Sequence, residues 1–238
     1  MPQIFYLPLR LEGTLQAWGN FSPWNHKTVA MVPSKGSVIG LVTQAMGDLT
    51  NVRLHMDLYR SLKMGVRQDR IGHIFKDFQT RGQTWNATRD EPFSSSGNGK
   101  GYKNSIITRE YVTGACYLVV LSGTEEQLRN IQEALEYPKR TIFLGKLACL
   151  PNAPIIIDGI VDSPDLRSVL ISHEDISSTC DDVRYYEAEI GMEEPVLPGE
   201  YGPELIRERP FYLRNEIIPC RRMVFGTKRK EEGKDVSE

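Results

Sequence analysis

Two amphipathic helical segments, each introduced by a capping residue, most constrain the fold that this chain can adopt. The first begins at Ser34 and carries apolar residues at helical spacing until Gly47. The second begins at Thr124, where Gln127 completes a capping box, and ends before Pro138. Apolar segments predict strands at residues 4–11, 58–66, 111–121 and 140–144. The predicted order of elements is therefore β-α-β-β-α-β.

This order is that of the ferredoxin-like (RRM-like) fold, so the predicted class is α+β. A segment at about residues 75–107 separates the second and third strands and is too long for a hairpin turn in a compact domain. We interpret it as a long, thumb-like β-hairpin insertion. The predicted organisation is a domain at residues 1–150 that contains this insertion, a smaller, partly β C-terminal region at 151–227, and a disordered tail at 228–238.

The composition is that of an ordinary globular protein. The 238 residues are 40% hydrophobic and 25% charged, which excludes a disordered, collagen-like or coiled-coil chain. The apolar runs are too short to span a bilayer, and the first residues lack the apolar core of a signal peptide, so we expect a cytoplasmic protein. The four cysteines are widely spaced, so we expect free thiols, with no metal and no cofactor.

Charge is divided unevenly along the chain. Residues 53–109 contain eleven Lys and Arg against five acidic residues, whereas residues 161–205 contain twelve acidic residues against two Arg. Because only residues that reach a polyanion release its counterions, such a cluster favours one anion-binding face. The alternative is a basic loop that is merely solvated. The acidic stretch is expected to face solvent or a basic partner.

The insertion combines basic and aromatic residues, a combination that binds single-stranded nucleic acid by phosphate pairing and base stacking. The candidates there are Arg81, Trp85, Arg89, Lys100 and Lys103. For Trp85 the alternative is an ordinary exposed aromatic residue.

Three further groups of residues are candidates for binding RNA. Ser34, Lys35 and Gly36 start a helix whose free N–H groups could hold a phosphate, although a plain N-cap explains them equally well. Candidates also occur in the first loop and before the insertion, namely Gln16, Trp18, Arg67 and Arg70. Gln16 could read a base edge and Trp18 could stack on a base, but Trp18 could equally anchor the core. The two arginines could bind phosphate or form ordinary pairs with Asp69.

Several segments resemble the CasD-type ("Cas five", type I-E) family of CRISPR Cascade subunits, within the RAMP superfamily. They are residues 15–19 (LQAWG), 33–41 (PSKGSVIGL), 66–72 (VRQDRIG), 77–80 (DFQT), 108–111 (TREY) and 144–151 (LGKLACLP). The resemblance covers most of residues 4–160 in the same order. The motifs add Arg109 and Lys146 to the RNA-binding candidates. Gln79 and Lys146 stand where the family usually has His and Arg, and Leu147 and Ala148 replace a basic residue and a Ser.

The resemblance implies a RAMP domain in a non-catalytic scaffold subunit of a Cascade surveillance complex that acts in antiviral defence. Such a subunit holds the 5′ handle of the CRISPR RNA and caps the filament of backbone subunits. It also contacts the large subunit, and target DNA reaches it through the assembled complex.

A nuclease is the alternative, because a type I-C branch of the family processes repeat RNA without metal through a Tyr, Lys and His constellation. His26, Lys27 and Tyr102 are the residues of this chain that its fold could assemble for that purpose. A third class, an unrelated RNA-binding module, would need aromatic residues on its central strands in a run that residues 111–117 do not contain.

Overall fold

The computed structural model describes residues 3–19, 26–48, 51–81, 85–86, 91–92, 105–177, 183–189, 206–207, 212–213, 216–217 and 222–229. The described helices are α1 (Lys35–Met46), α2 (Val52–Ser61), α3 (Glu125–Glu136) and α4 (Leu166–Ser172). The described strands are β1 (Phe5–Glu12), β2 (Leu15–Gln16), β3 (His26–Lys27), β4 (Lys63–Arg70), β5 (His73–Arg81), β6 (Trp85–Asn86), β7 (Glu91–Pro92), β8 (Ser105–Thr113), β9 (Cys116–Gly123), β10 (Val183–Glu189), β11 (Ile206–Arg207), β12 (Tyr212–Leu213), β13 (Glu216–Ile217) and β14 (Arg222–Arg229). The α+β class predicted from the sequence is confirmed.

The main sheet is antiparallel and has six strands in the order β1-β9-β4-β10-β14-β11. One face of it packs against α1, α2 and α3 through a large apolar cluster, and the other face packs against α4. Tyr117 and Val119 of β9 belong to the first cluster, whereas Leu118 and Val120 belong to the second. The unbroken apolar run of β9 follows from this arrangement, since both faces of the strand are covered.

The two predicted helices are present with their predicted caps. Ser34 has an extended backbone, and its side chain accepts a hydrogen bond from the N–H of Ser37. Gly47 ends α1 with a φ of 81°, a left-handed conformation that glycine adopts without a steric penalty. Thr124 and Gln127 form the capping box of α3.

Three of the predicted strands are wrong in detail. The segment 58–66 begins within α2, where Met56 and Tyr59, and likewise Leu58 and Leu62, are buried at helical spacing, and the strand β4 starts only at residue 63. The predicted strand 111–121 is divided at Gly114, whose φ is 76°, so that β8 and β9 belong to different sheets.

The third correction concerns residues 140–144, which form no strand. The free edge of β1 is instead covered by a later segment, where Ile156 and Val161 form isolated antiparallel bridges with Leu9 and Tyr6. A strand at that edge would satisfy the outward N–H and C=O groups of β1, and residues 155–161 do so in part. The ferredoxin-like arrangement itself stays a prediction.

The second sheet is built around β8. It pairs antiparallel with β5 over nine residues, and on its other edge it pairs antiparallel with β2 and parallel with β3. β5 and β8 begin and end the predicted insertion. Most residues between them lie outside the described ones, so the thumb-like hairpin also stays a prediction.

The C-terminal strands join the main sheet, because β10 pairs with β4 and then with β14. The sheet therefore runs across the boundary predicted between residues 150 and 151, and the division into two parts remains a prediction. Of the predicted disordered tail, residues 228 and 229 belong to β14 and the rest lies outside the described ranges. Within the described part of the chain, every helix is too short or too polar to cross a membrane.

Candidate nucleic-acid interface

One face of the second sheet collects positive charge from three separate segments. Lys27 of β3 is the ladder partner of Arg109 of β8, and Asp77 of β5 is the partner of Arg109 on its other side. Because directly paired residues share a face, these side chains form one row across the sheet. Lys146 reaches the same face from the loop after α3, and we call Lys27, Arg109 and Lys146 the cationic cluster.

The loop that carries Lys146 is fixed by its contact with the backbone at Ala17. Leu144 accepts a hydrogen bond from the N–H of Ala17 at 2.9 Å, and its own N–H donates to Cys149 at 2.6 Å. Gly145 has a φ of 90°, and a Cβ atom there would lie 2.0 Å from the carbonyl oxygen of Ala17. Only glycine can therefore hold this loop against the first loop.

The ammonium of Lys146 lies 4.9 Å from the centroid of the Tyr111 ring, within the range of a cation–π contact. Tyr111 lies two residues after Arg109 on β8, so its side chain is on the same face of the sheet. This contact places Lys146 directly beside the row formed by Lys27 and Arg109.

The cationic cluster is electrostatically suited to an anion. Partial burial, together with the positive charges of Arg109 and Lys27, lowers the pKa of Lys146 below its ordinary value. The Nε atom of Arg109 is buried and makes no hydrogen bond within the described part of the chain. An anion bound here would relieve the repulsion among the three cations and could accept a hydrogen bond from Arg109.

An exposed aromatic side chain lies beside the cluster. Phe75 of β5 is the direct cross-strand partner of Tyr111 and is 48% exposed. Positive charge and an exposed aromatic ring thus occupy one face, which is the combination that binds the phosphates and bases of single-stranded nucleic acid.

The opposite face of the same sheet has different chemistry. Glu110 is nearly buried and accepts from His26 Nε2 at 3.1 Å, and Lys76 lies 3.9 Å from the same carboxylate oxygen. Ile74 and Phe78 flank Lys76 on β5 and are 40% and 73% exposed. This face presents apolar side chains around a compensated carboxylate.

Three of the candidate residues are core residues in this structure. Gln16 is fully buried, donates to the carbonyl oxygen of Ala115 at 2.8 Å and accepts from the indole N–H of Trp18 at 3.1 Å. Trp18 packs edge-on against Tyr117. Lys35 is also buried, where its ammonium donates to the carbonyl oxygen of Leu62 and lies over the Tyr59 ring. The RNA contacts predicted for these three are not carried further, because their side chains have no surface to offer.

Arg67 is likewise fully buried, and its guanidinium is used internally. It forms a two-bond ion pair with Asp69 and donates to the carbonyl oxygens of Leu170, His173 and Glu174. The alternative of an Arg–Asp pair therefore describes Arg67, although the pair lies in the core and not on the surface.

Arg70 is partly exposed and pairs with Glu12, not with Asp69 or Asp77. Its Nη2 lies 2.6 Å from Glu12, and it also donates to the carbonyl oxygen of Gly114 and to the hydroxyl of Ser177. It joins β4 to β1 and to the segment after α4. The RNA contact predicted for it stays a prediction.

The other candidates fall into two groups. Ser34 caps α1, and Gly36 is partly buried in its first turn, so the plain N-cap describes both. The side chains of Arg81 and Trp85 and the whole of Arg89, Lys100 and Lys103 lie outside the described residues.

Of all the sequence candidates, the structure brings Arg109 and Lys146 together. It adds Lys27 and Phe75, which the sequence did not point to as RNA-binding residues. A parallel pairing between a two-residue strand and β8 leaves no sequence signal for Lys27. Phe75 could have been found from an alternation that places it on the same side as Arg109 once the hairpin register is known.

The model of a family described as CRISPR-associated protein (Cas_Cas5) matches residues 6–214 of the chain. The chain belongs to the Cas5 family. This Cas5 chain is 26% identical over 183 residues to the CRISPR system Cascade subunit CasD of Escherichia coli (strain K12), an alignment that covers 72% of this chain and 78% of that protein.

Solved structures share the fold of this Cas5 protein. A chain of a CRISPR RNA-guided surveillance complex superposes with a TM-score of 0.67 at 22% identity, covering 94% of this chain and 90% of the other. A crystal structure of a Cas protein superposes with a TM-score of 0.65 at 24% identity, covering 95% and 96%. Because the superpositions cover almost the whole chain, the fold described above is that of these Cas proteins.

Proposed function

We propose that this protein is a non-catalytic RNA-binding scaffold subunit of a type I-E CRISPR Cascade complex, and that it holds the 5′ handle of the CRISPR RNA. The observation that carries the proposal is the cationic cluster, with the exposed Phe75 on the same face of the sheet. Membership of the Cas5 family and similarity to a Cascade subunit support it.

In the proposed mode of binding, phosphates of the handle lie on Lys27, Arg109 and Lys146. Arg109 offers a planar guanidinium that can donate two parallel hydrogen bonds to a phosphate, whereas the lysines act as point charges. Each neutralised phosphate releases counterions, so affinity falls with salt at a slope that counts these contacts.

The remaining assignments belong to the same proposal. The core is a ferredoxin-like RAMP domain at residues 1–150 with a thumb insertion, followed by a smaller C-terminal region at 151–227. The subunit caps the backbone filament and contacts the backbone and large subunits of the complex. Arg81, Trp85, Arg89, Lys100 and Lys103 of the insertion extend the RNA surface. The protein acts in the cytoplasm and meets target DNA through the assembled complex.

A metal-independent ribonuclease is the second candidate, and the pair formed by His26 and Glu110 is the observation in its favour. A carboxylate that orients an imidazole is a common feature of general acid–base catalysis. The pair nevertheless lies on the face opposite the cationic cluster, because His26 and Lys27 are consecutive residues of one strand. A phosphate held by the cluster would thus be separated from the imidazole by the sheet.

The decisive experiment compares RNA binding by the full chain and by variants of the cluster. The double variant Arg109→Ala with Lys146→Ala should weaken RNA binding and lower the salt slope by about two units, one for each lost phosphate contact. Arg53→Ala removes an exposed charge from α2 and should leave both unchanged. Equal effects of the two substitutions would contradict the proposed site.

The nuclease candidate needs a separate assay. We expect no cleavage of the cognate repeat RNA by the purified chain in the presence of a chelator. Metal-free cleavage that is lost with His26→Ala or Tyr102→Phe would replace the scaffold proposal by the nuclease.

A further inference from the structure

We propose that Phe75 is the stacking platform for one unpaired nucleobase of the bound RNA. The inference rests on the proposed function and deepens it, because it specifies that the RNA is single-stranded and unstacked at this point. It begins from the position of Phe75, an aromatic ring that is 48% exposed on a strand for which the only described partner is β8.

The register places the ring next to the charges that would hold the RNA backbone. Phe75 is paired with Tyr111, and Asp77, the next residue on that face of β5, is paired with Arg109. The two rows are thus about 7 Å apart along the ladder. The phosphate and base of one nucleotide are separated by a similar span, so one nucleotide can reach both rows.

The neighbouring aromatic residue is not available for stacking. Tyr111 is 6% exposed, and the ammonium of Lys146 lies over its ring. Phe75 is therefore the described aromatic side chain of this face that still presents a ring to solvent. A base stacked on Phe75 would lie beside Lys146, where the positive charge also favours the electron-rich face of the base.

The distribution of charge favours a nucleobase over a protein partner as the occupant. Phe75 shares its face with three cations, and an apolar protein surface docked there would have to desolvate them. On the other face Ile74 and Phe78 flank Lys76, whose charge is compensated by Glu110. That face is the better surface for a protein, so the two faces of the strand offer a matched comparison.

The test uses the full chain and a fluorescent single-stranded oligouridylate of about eight nucleotides. A second series of probes carries one abasic ribose at each successive position. Wild-type protein should lose about tenfold in affinity for one abasic position, and Phe75→Ala should lose about as much for intact RNA without a change in salt slope. Phe75→Ala should no longer distinguish the abasic probe from the intact one.

Further variants separate stacking from apolar packing and from folding. Phe75→Leu keeps an apolar side chain on the strand but removes the π face, so it should behave as Phe75→Ala, whereas Phe75→Trp should bind at least as well as wild type. Phe78→Ala, on the opposite face, should leave RNA affinity unchanged. Ultraviolet cross-linking followed by mass spectrometry should place a nucleotide on Phe75.

The outcomes distinguish the inference from the function on which it rests. A wild-type chain without salt-dependent RNA binding would overturn both. Binding that depends on Arg109 and Lys146 but is insensitive to abasic positions and to Phe75→Leu would overturn the stacking alone. Loss of assembly with purified Cascade subunits at unchanged RNA affinity in Phe75→Ala would show that a protein covers this ring, and would also overturn the stacking.

Discussion

Arg67 and Asp69 form a completely buried ion pair on β4, with Nε of the arginine 2.5 Å from Oδ1 of the aspartate. The two residues are separated by one position, so both side chains point to the side of the sheet that packs against α4. The remaining donors of Arg67 hold carbonyl oxygens at the end of α4, and Asp69 accepts from the backbone N–H of Ile176. The pair therefore fixes the segment after α4 to the main sheet.

Arg67→Ala should consequently act on stability. Removing one partner of a buried ion pair leaves the other charge uncompensated and costs ~3–5 kcal/mol in the free energy of unfolding. Denaturant unfolding measures this cost. For the fraction that remains folded, the salt slope of RNA binding should equal that of wild type. A variant that unfolds normally but binds RNA with a lower slope would return Arg67 to the RNA surface.

Glu12 should make stability dependent on pH in the acidic range. Burial by itself would raise the pKa of Glu12, but hydrogen bonds and charge from Arg10 and Arg70 outweigh it, and the pKa lies below its ordinary value of 4.5. A lowered carboxylate pKa contributes stability that is fully present above the unfolded value and is lost as the pH falls through the folded one.

The variant Glu12→Gln should therefore be less stable than wild type at neutral pH, and the difference should shrink below pH 4.5. Urea unfolding at a series of pH values measures both. A difference that stays constant with pH would mean that Glu12 contributes through packing and not through its charge.

RNA binding should weaken at alkaline pH through Lys146. Its pKa is lowered, first by burial and then by Arg109 and Lys27, so in the free protein it loses its proton below its ordinary value of 10.5. A bound phosphate favours the ammonium, and binding should therefore take up a proton as the pH rises through the lowered pKa. Lys146→Arg stays charged and should flatten this dependence. Parallel pH profiles for the two proteins would remove Lys146 from the interface.

Two glycines with similar backbone conformations should respond differently to alanine. Gly114 has a φ of 76° with open space around a Cβ atom, whereas a Cβ atom at Gly145 would meet the carbonyl oxygen of Ala17. Gly114→Ala should cost only the left-handed strain of ~1–2 kcal/mol. Gly145→Ala should cost ~1–3 kcal/mol more through the clash, and it should weaken RNA binding because it displaces Lys146.

Thermal unfolding and RNA affinity, measured on both glycine variants, check this comparison. Gly40→Ala is the control, since it lies in α1 with open space around the added methyl group and should be neutral or stabilising. Equal losses for Gly114→Ala and Gly145→Ala would mean that the loop moves to accept the methyl group.

Features of the chain that depend on local interactions could be predicted from the sequence. The caps of α1 and α3 involve residues three positions apart, Ser34 with Ser37 and Thr124 with Gln127. The motifs that resemble the Cas5 family also lie within short segments. The error at residues 58–66 has a local cause as well, because short apolar runs do not distinguish a strand from a buried helix.

The binding surface depended on partners that are distant along the chain. The same motif suggested surface roles for Arg67 and Arg70, and yet one is buried by residues 170–176 and the other pairs with Glu12. Whether an arginine of a strand reaches solvent is decided by what packs on its face of the sheet, and that packing comes from elsewhere in the sequence.

The sequence by itself determined the α+β class, the two capped helices and the resemblance to the Cas5 family, because these follow from local periodicity, capping and motifs. Only the tertiary structure decided that Lys27, Arg109, Lys146 and Phe75 share one face, while Gln16, Trp18, Lys35 and Arg67 lie in the core. Those placements follow from strand register and from the packing of α4 and the loop after α3, which are long-range interactions that no short segment encodes.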